Sequence, residues 1–482
     1  MTSPAEFRVD VLVIGGGPAG LSAALTGKGR HPEKSFLLIR REEQAVTCCS
    51  IPHFLPRGRD LGKSLIPDHS LERAGIELLI TEVVAIERAE KYGRLSDGRL
   101  VHYEKLVLAL GSTPAIPPIL GNLPVGAGLV PAQEGRPQGS PGEPLGRDKI
   151  FTVPKDAGSL ERLKESLAER PRIAVLGGSL VGVEVAWELS QTGSQVTLVE
   201  ALPSLLQFVY DEDLGNYVEE VLEKGGVRVQ TGSRVNELVS RGSGVAVLLQ
   251  GKETLPVDAA ILALGYRPAS DLAAQTGLEV DRGGFLITDE YGRTSDPDIF
   301  AVGDCAQKRD FLSGQPVPVM LSSVAAREGR LVGWNLYRLV LPRRLAGTIP
   351  FALLALGEAC LGAVGWTERR ADEEGMDVVS AAFEGTDRHP PALPGAMRQW
   401  VKLIAALEGG VLVGAEVRGG LRTGELVNLL GVAIQGHMTA YDLINLQLGS
   451  HPQLSPSPGV IPLVKAAEIL VRKIERPRFF IL

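Results

Sequence analysis

Two adjacent thiols, Cys48 and Cys49, stand in the stretch Thr47–Phe54, Thr-Cys-Cys-Ser-Ile-Pro-His-Phe. The chain has only two other cysteines, Cys305 and Cys360. A thiol is a modest reagent near neutral pH; its thiolate is the nucleophile toward sulfur. Four cysteines in 482 residues do not make a disulfide framework. A reducing compartment suits such a chain, and reactivity rather than stapling explains a special cysteine. Cys305, beside Asp304, and Cys360, in an apolar run, read as packing residues. Cys48 has several readings: a resolving thiol, a strained vicinal disulfide with Cys49, or a small buried neighbour.

Sulfur chemistry needs an electron supply, and two segments have the form that holds a dinucleotide. In 9–25, a β-branched run (Val9–Ile14) predicts a buried strand, and Gly15, Gly17 and Gly20 follow in G-x-G-x-x-G spacing with Pro18 and Ala19 between. A helix should open at once. Gly15 allows the tight turn, Gly17 lets the backbone approach a pyrophosphate, and Gly20 lets helix and strand pack closely. The helix start then offers amide groups and a positive dipole end to the anion. In 171–189 the pattern returns: strand Ile173–Leu176, then Gly177, Gly178, Ser179, Val181 and Gly182, with Ser179 in place of the middle glycine. Each copy closes on the same tetrapeptide, Leu-Ala-Leu-Gly, at Leu108–Gly111 (with Ala109) and Leu262–Gly265. One glycine fingerprint is weak; two in the same order with the same closing strand predict two dinucleotide-binding domains.

The residue ending the second strand of each copy selects the ribose, about 20 residues past the glycines. In the second copy it is Glu200, whose carboxylate accepts from both ribose hydroxyls and repels a 2′-phosphate, favouring NADH over NADPH. In the first copy Arg40 and Arg41 stand there, followed by Glu42 and Glu43. A third element, 294–307, reads as a short strand, Ile299–Val302, ending at Gly303-Asp304, with a helix expected next. A strand-end carboxylate such as Asp304 either points into a ligand crevice or caps a helix.

Composition bounds the rest. A chain this long suggests two to four domains, and 44% hydrophobic with 22% charged residues is ordinary for a globular protein. A net charge of -7 argues against nucleic acid. No signal peptide is read at the N-terminus, and the apolar 349–366, which contains Glu358, reads as two buried strands rather than a membrane span. No metal site is expected. The Pro/Gly-dense 121–149 reads as a surface insertion between domains.

The order of these segments resembles the two-dinucleotide-fold flavoprotein disulfide reductases over nearly the whole chain. The nearest likeness is to the single-cysteine branch: coenzyme A-disulfide reductases, NADH oxidases and peroxidases, and persulfide or polysulfide reductases. Cys49 aligns with the active cysteine of that branch, with Ser50 and His53 replacing a glycine and a tyrosine. The resemblance implies an α/β fold with FAD- and NAD-binding Rossmann-like domains and a C-terminal α+β dimerisation domain. The boundaries are 1–120 with 268–345 for FAD, 150–267 for NAD and 346–482 for dimerisation. It implies FAD on Gly15, Gly17 and Gly20, with Asp304 on the ribityl chain or pyrophosphate. NADH falls to the second domain, with Glu184 near the nicotinamide, and 318–330 passes under the flavin ring. His451, in a His-Pro pair, stands where relatives carry an acid/base toward a partner subunit; His389 reads as structural or interfacial. The reaction expected is NADH-driven reduction of a small disulfide, persulfide or polysulfide in a cytoplasmic homodimer. Two alternatives are an NADH oxidase or peroxidase cycling through a cysteine sulfenate and an electron-transfer module docking to a redox protein.

Overall fold

The computed structural model describes residues 6–116, 149–242, 244–251 and 254–475. Residues 121–148 of the expected insertion lie outside the described residues. Chain contacts divide the molecule into two compact units: residues 1–174, 192–194 and 236–348, and residues 175–191, 195–235 and 349–482.

In the first unit, β1 (Glu6–Ile14) runs at the centre of a seven-stranded sheet. It pairs in parallel with β2 (Phe36–Arg40) on one side and with β3 (Leu100–Leu108) on the other. Its last four residues are fully apolar and buried, because both faces of the sheet are covered where these parallel strands run. On one face lie Leu12, Ile14, Leu106 and Leu286; on the other Val11, Val13, Ala23, Phe300 and Val332. α1 (Pro18–Arg30) follows β1 after the glycine turn. Strands β4 (Ser112–Pro114) and β5 (Tyr266–Pro268) form a separate antiparallel ladder. Strand β6 (Ile299–Ala301) runs parallel to β3 and ends in a single 3-10 turn, Gly303–Cys305, where the sequence predicts a helix. The turn ends at Ala306, whose backbone is extended (φ −94°, ψ 146°), and the next α-helix, α2 (Ser322–Asn335), begins well downstream. α2 lies directly on α1. A Cβ on Gly329 would fall 2.2 Å from Ala19 O, and one on Gly333 2.8 Å from Ala23 O. Only hydrogen at these positions lets the two backbones meet.

The second unit repeats the turn: after Leu176 comes a glycine turn, α3 (Leu180–Ser190) and β7 (Gln195–Val199). Its C-terminal part is a five-stranded antiparallel sheet in the order Phe351–Leu356, Ala359–Gly365, Leu412–Gly419, Arg398–Ala406, Val378–Thr386. The apolar 349–366 supplies its first two strands, the first alternating buried and exposed and the second buried. Lys402 is buried within this unit among carboxylates: Asp211 at 3.0 Å, Glu368 at 2.5 Å, Asp213 at 3.5 Å and Glu416 at 3.8 Å. Glu416 Oε1 accepts from the Asp211 N–H at 2.6 Å. Burial, reinforced by the charge of Asp211, pushes the Glu416 carboxyl up to about 8.

Candidate active site

The first glycine turn is shaped by backbone contacts. Gly15 N–H donates to Ile39 O at 2.8 Å, and φ is +113°. A Cβ there would lie 2.1 Å from Ala109 O, and one on Gly20 only 1.9 Å from Gly15 O. Gly17 differs. It caps α1 at φ −77°, no side chain fills the cap, Pro18 follows, and an added Cβ would meet nothing within 4 Å. Open space at an uncapped helix start, free of acidic side chains in its first turn, fits a pyrophosphate.

Arg40 is not aimed at this space. A Cβ on Gly16 would fall 2.5 Å from Arg40 Cδ, so the side chain runs beneath the turn. Its buried guanidinium donates to Asp68 at 2.6 and 2.7 Å and to the carbonyls of Glu42 and Glu43 at 2.8 and 2.6 Å. A buried guanidinium needs partners for its donors, and these bonds supply them. Arg40 thus braces the turn from beneath. Arg41 is half-exposed and faces Glu82 at 3.5 Å.

The second turn repeats this construction. Gly177 has φ +110° and its N–H donates to Val199 O at 2.8 Å. Ser179 caps α3, its Oγ accepting from Gly182 N–H at 3.3 Å; the residue that breaks the glycine pattern is thus a helix cap. Val181 and Glu184 follow within α3. Glu200 accepts from Gly178 N–H at 2.5 Å and Leu202 N–H at 2.7 Å, holding its carboxylate against the turn.

Asp304 joins a cluster that the sequence reading missed. Its Oδ2 accepts from Ser112 Oγ at 2.7 Å and from Lys155 Nζ at 3.0 Å. Lys155 also donates to Ser112 Oγ at 2.6 Å and lies 4.2 Å from the centre of the Tyr266 ring. Tyr266 donates to Val153 O at 2.9 Å. Ser112 and Tyr266 each follow the closing glycine of a Leu-Ala-Leu-Gly copy. Gly111 (φ +72°) and Gly265 (φ +92°) turn the chain so that β4 and β5 pair, Pro268 opposite Ser112. The repeated tetrapeptide is the signal that marked both residues. Beneath Asp304, Gly303 N–H donates to buried Glu328 at 2.8 Å, and Lys308 pairs with Glu328 at 3.4 Å. Burial raises the Glu328 carboxyl, against the pull of Lys308.

The paired cysteines occupy one 3-10 turn, Cys48–Ser50, anchored by Ser50 N–H to Thr47 O at 2.9 Å. Of the four cysteines only Cys49 is exposed. Its thiol donates to Ser322 Oγ at 3.2 Å, on the first residue of α2. The start of α2, within 318–330, thus lies against the thiol. Cys48 is half-buried and donates to Val46 O at 3.7 Å; burial pushes its thiol up, with the Lys155 charge opposing. Cys305 is fully buried against Leu108 O, and burial pushes it up to about 11. Cys360 is buried in its strand. His451 lies in the second unit, exposed in a turn where Gln453 N–H donates to its Nδ1 at 3.3 Å. His389 braces that turn, its N–H donating to Pro452 O at 3.1 Å and its Nδ1 bonding Ser455 O at 3.0 Å. The carbonyl of His53 accepts from Arg59 at 2.8 Å.

Two glycine turns of one construction, each presenting a helix start, together with an exposed thiol beside a third, define an oxidoreductase that takes two dinucleotides. The chain belongs to the pyridine nucleotide-disulphide oxidoreductases: the family model matches residues 9–329, and the model of the family's dimerisation domain matches residues 356–459. The family is FAD- and NAD(P)H-dependent, and so is this oxidoreductase. The chain is 28% identical over 474 residues to an NADH oxidase of Methanocaldococcus jannaschii, covering 96% of this chain and 99% of that one. It is 26% identical over 425 residues to an NAD(P)H coenzyme A polysulfide/persulfide reductase of Pyrococcus horikoshii, covering 86% and 88%. Among solved structures, an NAD-dependent persulfide reductase from A. fulgidus superposes with a TM-score of 0.85 at 26% identity, over 96% of this chain and 83% of that one. Among the described residues no helix is long and apolar enough to cross a membrane.

Proposed function

We propose that this protein reduces sulfur–sulfur bonds of small molecules (coenzyme A disulfide, a persulfide or a polysulfide) with electrons from NADH, using Cys49 as its single redox thiol. The observation that carries the proposal is the exposure of Cys49 on a turn held against the start of α2. FAD, when bound, supplies the two-electron exchange between nicotinamide and sulfur. Gly15, Gly17 and Gly20 would hold its pyrophosphate, and Asp304, oriented by Ser112 and Lys155, a ribityl hydroxyl. Glu200 would accept from the ribose hydroxyls of NADH and disfavour the 2′-phosphate of NADPH.

The thiolate of Cys49 attacks one sulfur of the substrate, forming a Cys49–substrate S–S bond as the old one breaks. The departing thiolate takes a proton, and His451, carried by the partner copy of a homodimer, is the acid proposed for it. Two electrons originating in NADH then cleave the mixed disulfide and restore the thiolate. The match to the dimerisation domain supports the homodimer. The scarcity of cysteine supports a cytoplasmic setting. The proposed domains are 1–120 with 268–345, 150–267, and 346–482, with 121–149 as the proposed insertion.

The relative from Methanocaldococcus jannaschii favours a second reading, an NADH oxidase in which Cys49 cycles through a sulfenate. Stopped-flow mixing of the NADH-reduced enzyme with coenzyme A disulfide, with polysulfide and with oxygen separates the two. Reoxidation by the sulfur acceptors and slow reaction with oxygen is expected, and Cys49→Ser should abolish the former. Turnover of sulfur acceptors that survives in Cys49→Ser would end the thiol mechanism.

A further inference from the structure

Adjacent in sequence, Cys48 and Cys49 have partners of opposite capability. The Cys48 thiol donates to Val46 O, a carbonyl that accepts hydrogen bonds and cannot return one to an ionised sulfur. The Cys49 thiol donates to Ser322 Oγ across 3.2 Å. A hydroxyl both accepts and donates, so on ionisation the same two atoms exchange roles and Ser322 donates to the thiolate. Ser322 cannot drift from that duty. It is the first residue of a 14-residue helix whose cap, Leu321, has no side-chain acceptor, and that helix is seated on α1 through Gly329 and Gly333 and tied to Gly303 N–H through Glu328. A rigid element therefore holds the hydroxyl, and the positive end of the helix dipole adds to it.

We propose that Ser322 is a positioning residue that holds the Cys49 sulfur through its hydroxyl and makes Cys49, rather than Cys48, the reacting thiol. The inference rests on the reading of Cys49 as the redox thiol, and it is tested without any sulfur acceptor. Holoenzyme with reduced thiols is alkylated with iodoacetamide at pH 7 and again well above the thiol range, and labelling of each cysteine is followed by peptide mass spectrometry. In the unaltered protein Cys49 should be labelled and Cys48 spared. Ser322→Ala should slow Cys49 labelling at pH 7 by about tenfold or more, the scale of one lost hydrogen bond to a charged group. Above the thiol range its rate should match the parent, and Ser322→Thr, which keeps the hydroxyl, should restore most of the loss at pH 7. Equal rates for the parent and Ser322→Ala at pH 7, or Cys48 labelled as fast as Cys49 in the parent, would overturn the proposal. The functional reading fails separately, on turnover by Cys49→Ser.

Discussion

Replacing Gly17 by alanine separates the needs of the fold from those of the cofactor at a single atom. Gly17 has φ −77°, a backbone any residue adopts, and the added methyl would meet no protein atom within 4 Å. The Gly17→Ala apoprotein should therefore lie within about 0.5 kcal/mol of the parent. Gly15→Ala is the contrast. Its φ of +113° costs a residue with a side chain about 1–3 kcal/mol. Its methyl, 2.1 Å from Ala109 O, must push β1 away from the end of β3, adding about 1–3 kcal/mol. Cofactor affinity is the second readout. In Gly17→Ala the methyl stands where the backbone must approach the pyrophosphate, and FAD affinity should fall at least about tenfold, or about 1.4 kcal/mol. The assay is a calorimetric melt of the flavin-stripped proteins followed by FAD titration through quenching of flavin fluorescence. A Gly17→Ala protein that melts like the parent and binds FAD like the parent would refute the assignment of the cradle to this turn. One that melts far below it would refute the reading of the space as open.

The carboxylates around Lys402 make stability depend on pH. The folded state holds the Glu416 proton more tightly than the unfolded chain does (about 8 against the ordinary 4.5), so this contribution is complete below about 4.5 and is lost as pH rises through about 8. Melting temperature should fall across that window by up to the equivalent of about 1.4 kcal/mol per pH unit, and Glu416→Gln should flatten the slope; an unchanged slope would contradict the assignment. Lys402→Met leaves Asp211 and Glu368 without their shared cation and should cost about 3–5 kcal/mol in thermal or urea unfolding at neutral pH. Glu200→Ala should raise KM for NADH by about tenfold while leaving that for NADPH unchanged or lower, read from initial rates with each nucleotide. Lys155→Met should weaken FAD binding, measured by the same fluorescence titration, because Asp304 loses the ammonium that orients it; Lys155→Arg should recover part of the loss.

Much of the site is legible in the chain because its demands are local. Gly15 is needed for its own φ and for Ala109, at the end of the neighbouring strand, and Gly177 repeats the same φ within a few degrees. Strand, turn and helix lie within about twenty residues, so their pattern survives in the sequence. What the chain does not show is where side chains choose partners. Arg40 occupies the usual ribose position, yet its guanidinium turns inward because Asp68 and the Glu42 and Glu43 carbonyls satisfy it there. The helix expected after Asp304 gives way to one 3-10 turn, because the chain becomes extended again at Ala306.

By itself the sequence determined that two dinucleotide turns exist, that they are copies, and that a thiol pair follows the first. Backbone rules about glycine, strand and helix act over short separations, and residue order records them. Only the tertiary structure decided which thiol is exposed, that Ser322 meets Cys49 across 273 positions of chain, and that Ser112, Lys155 and Tyr266 gather at Asp304. A side-chain hydrogen bond depends on the distance between two atoms in space. That distance is set by the packing of α2 on α1 and the pairing of β4 with β5, which no local pattern of residues specifies.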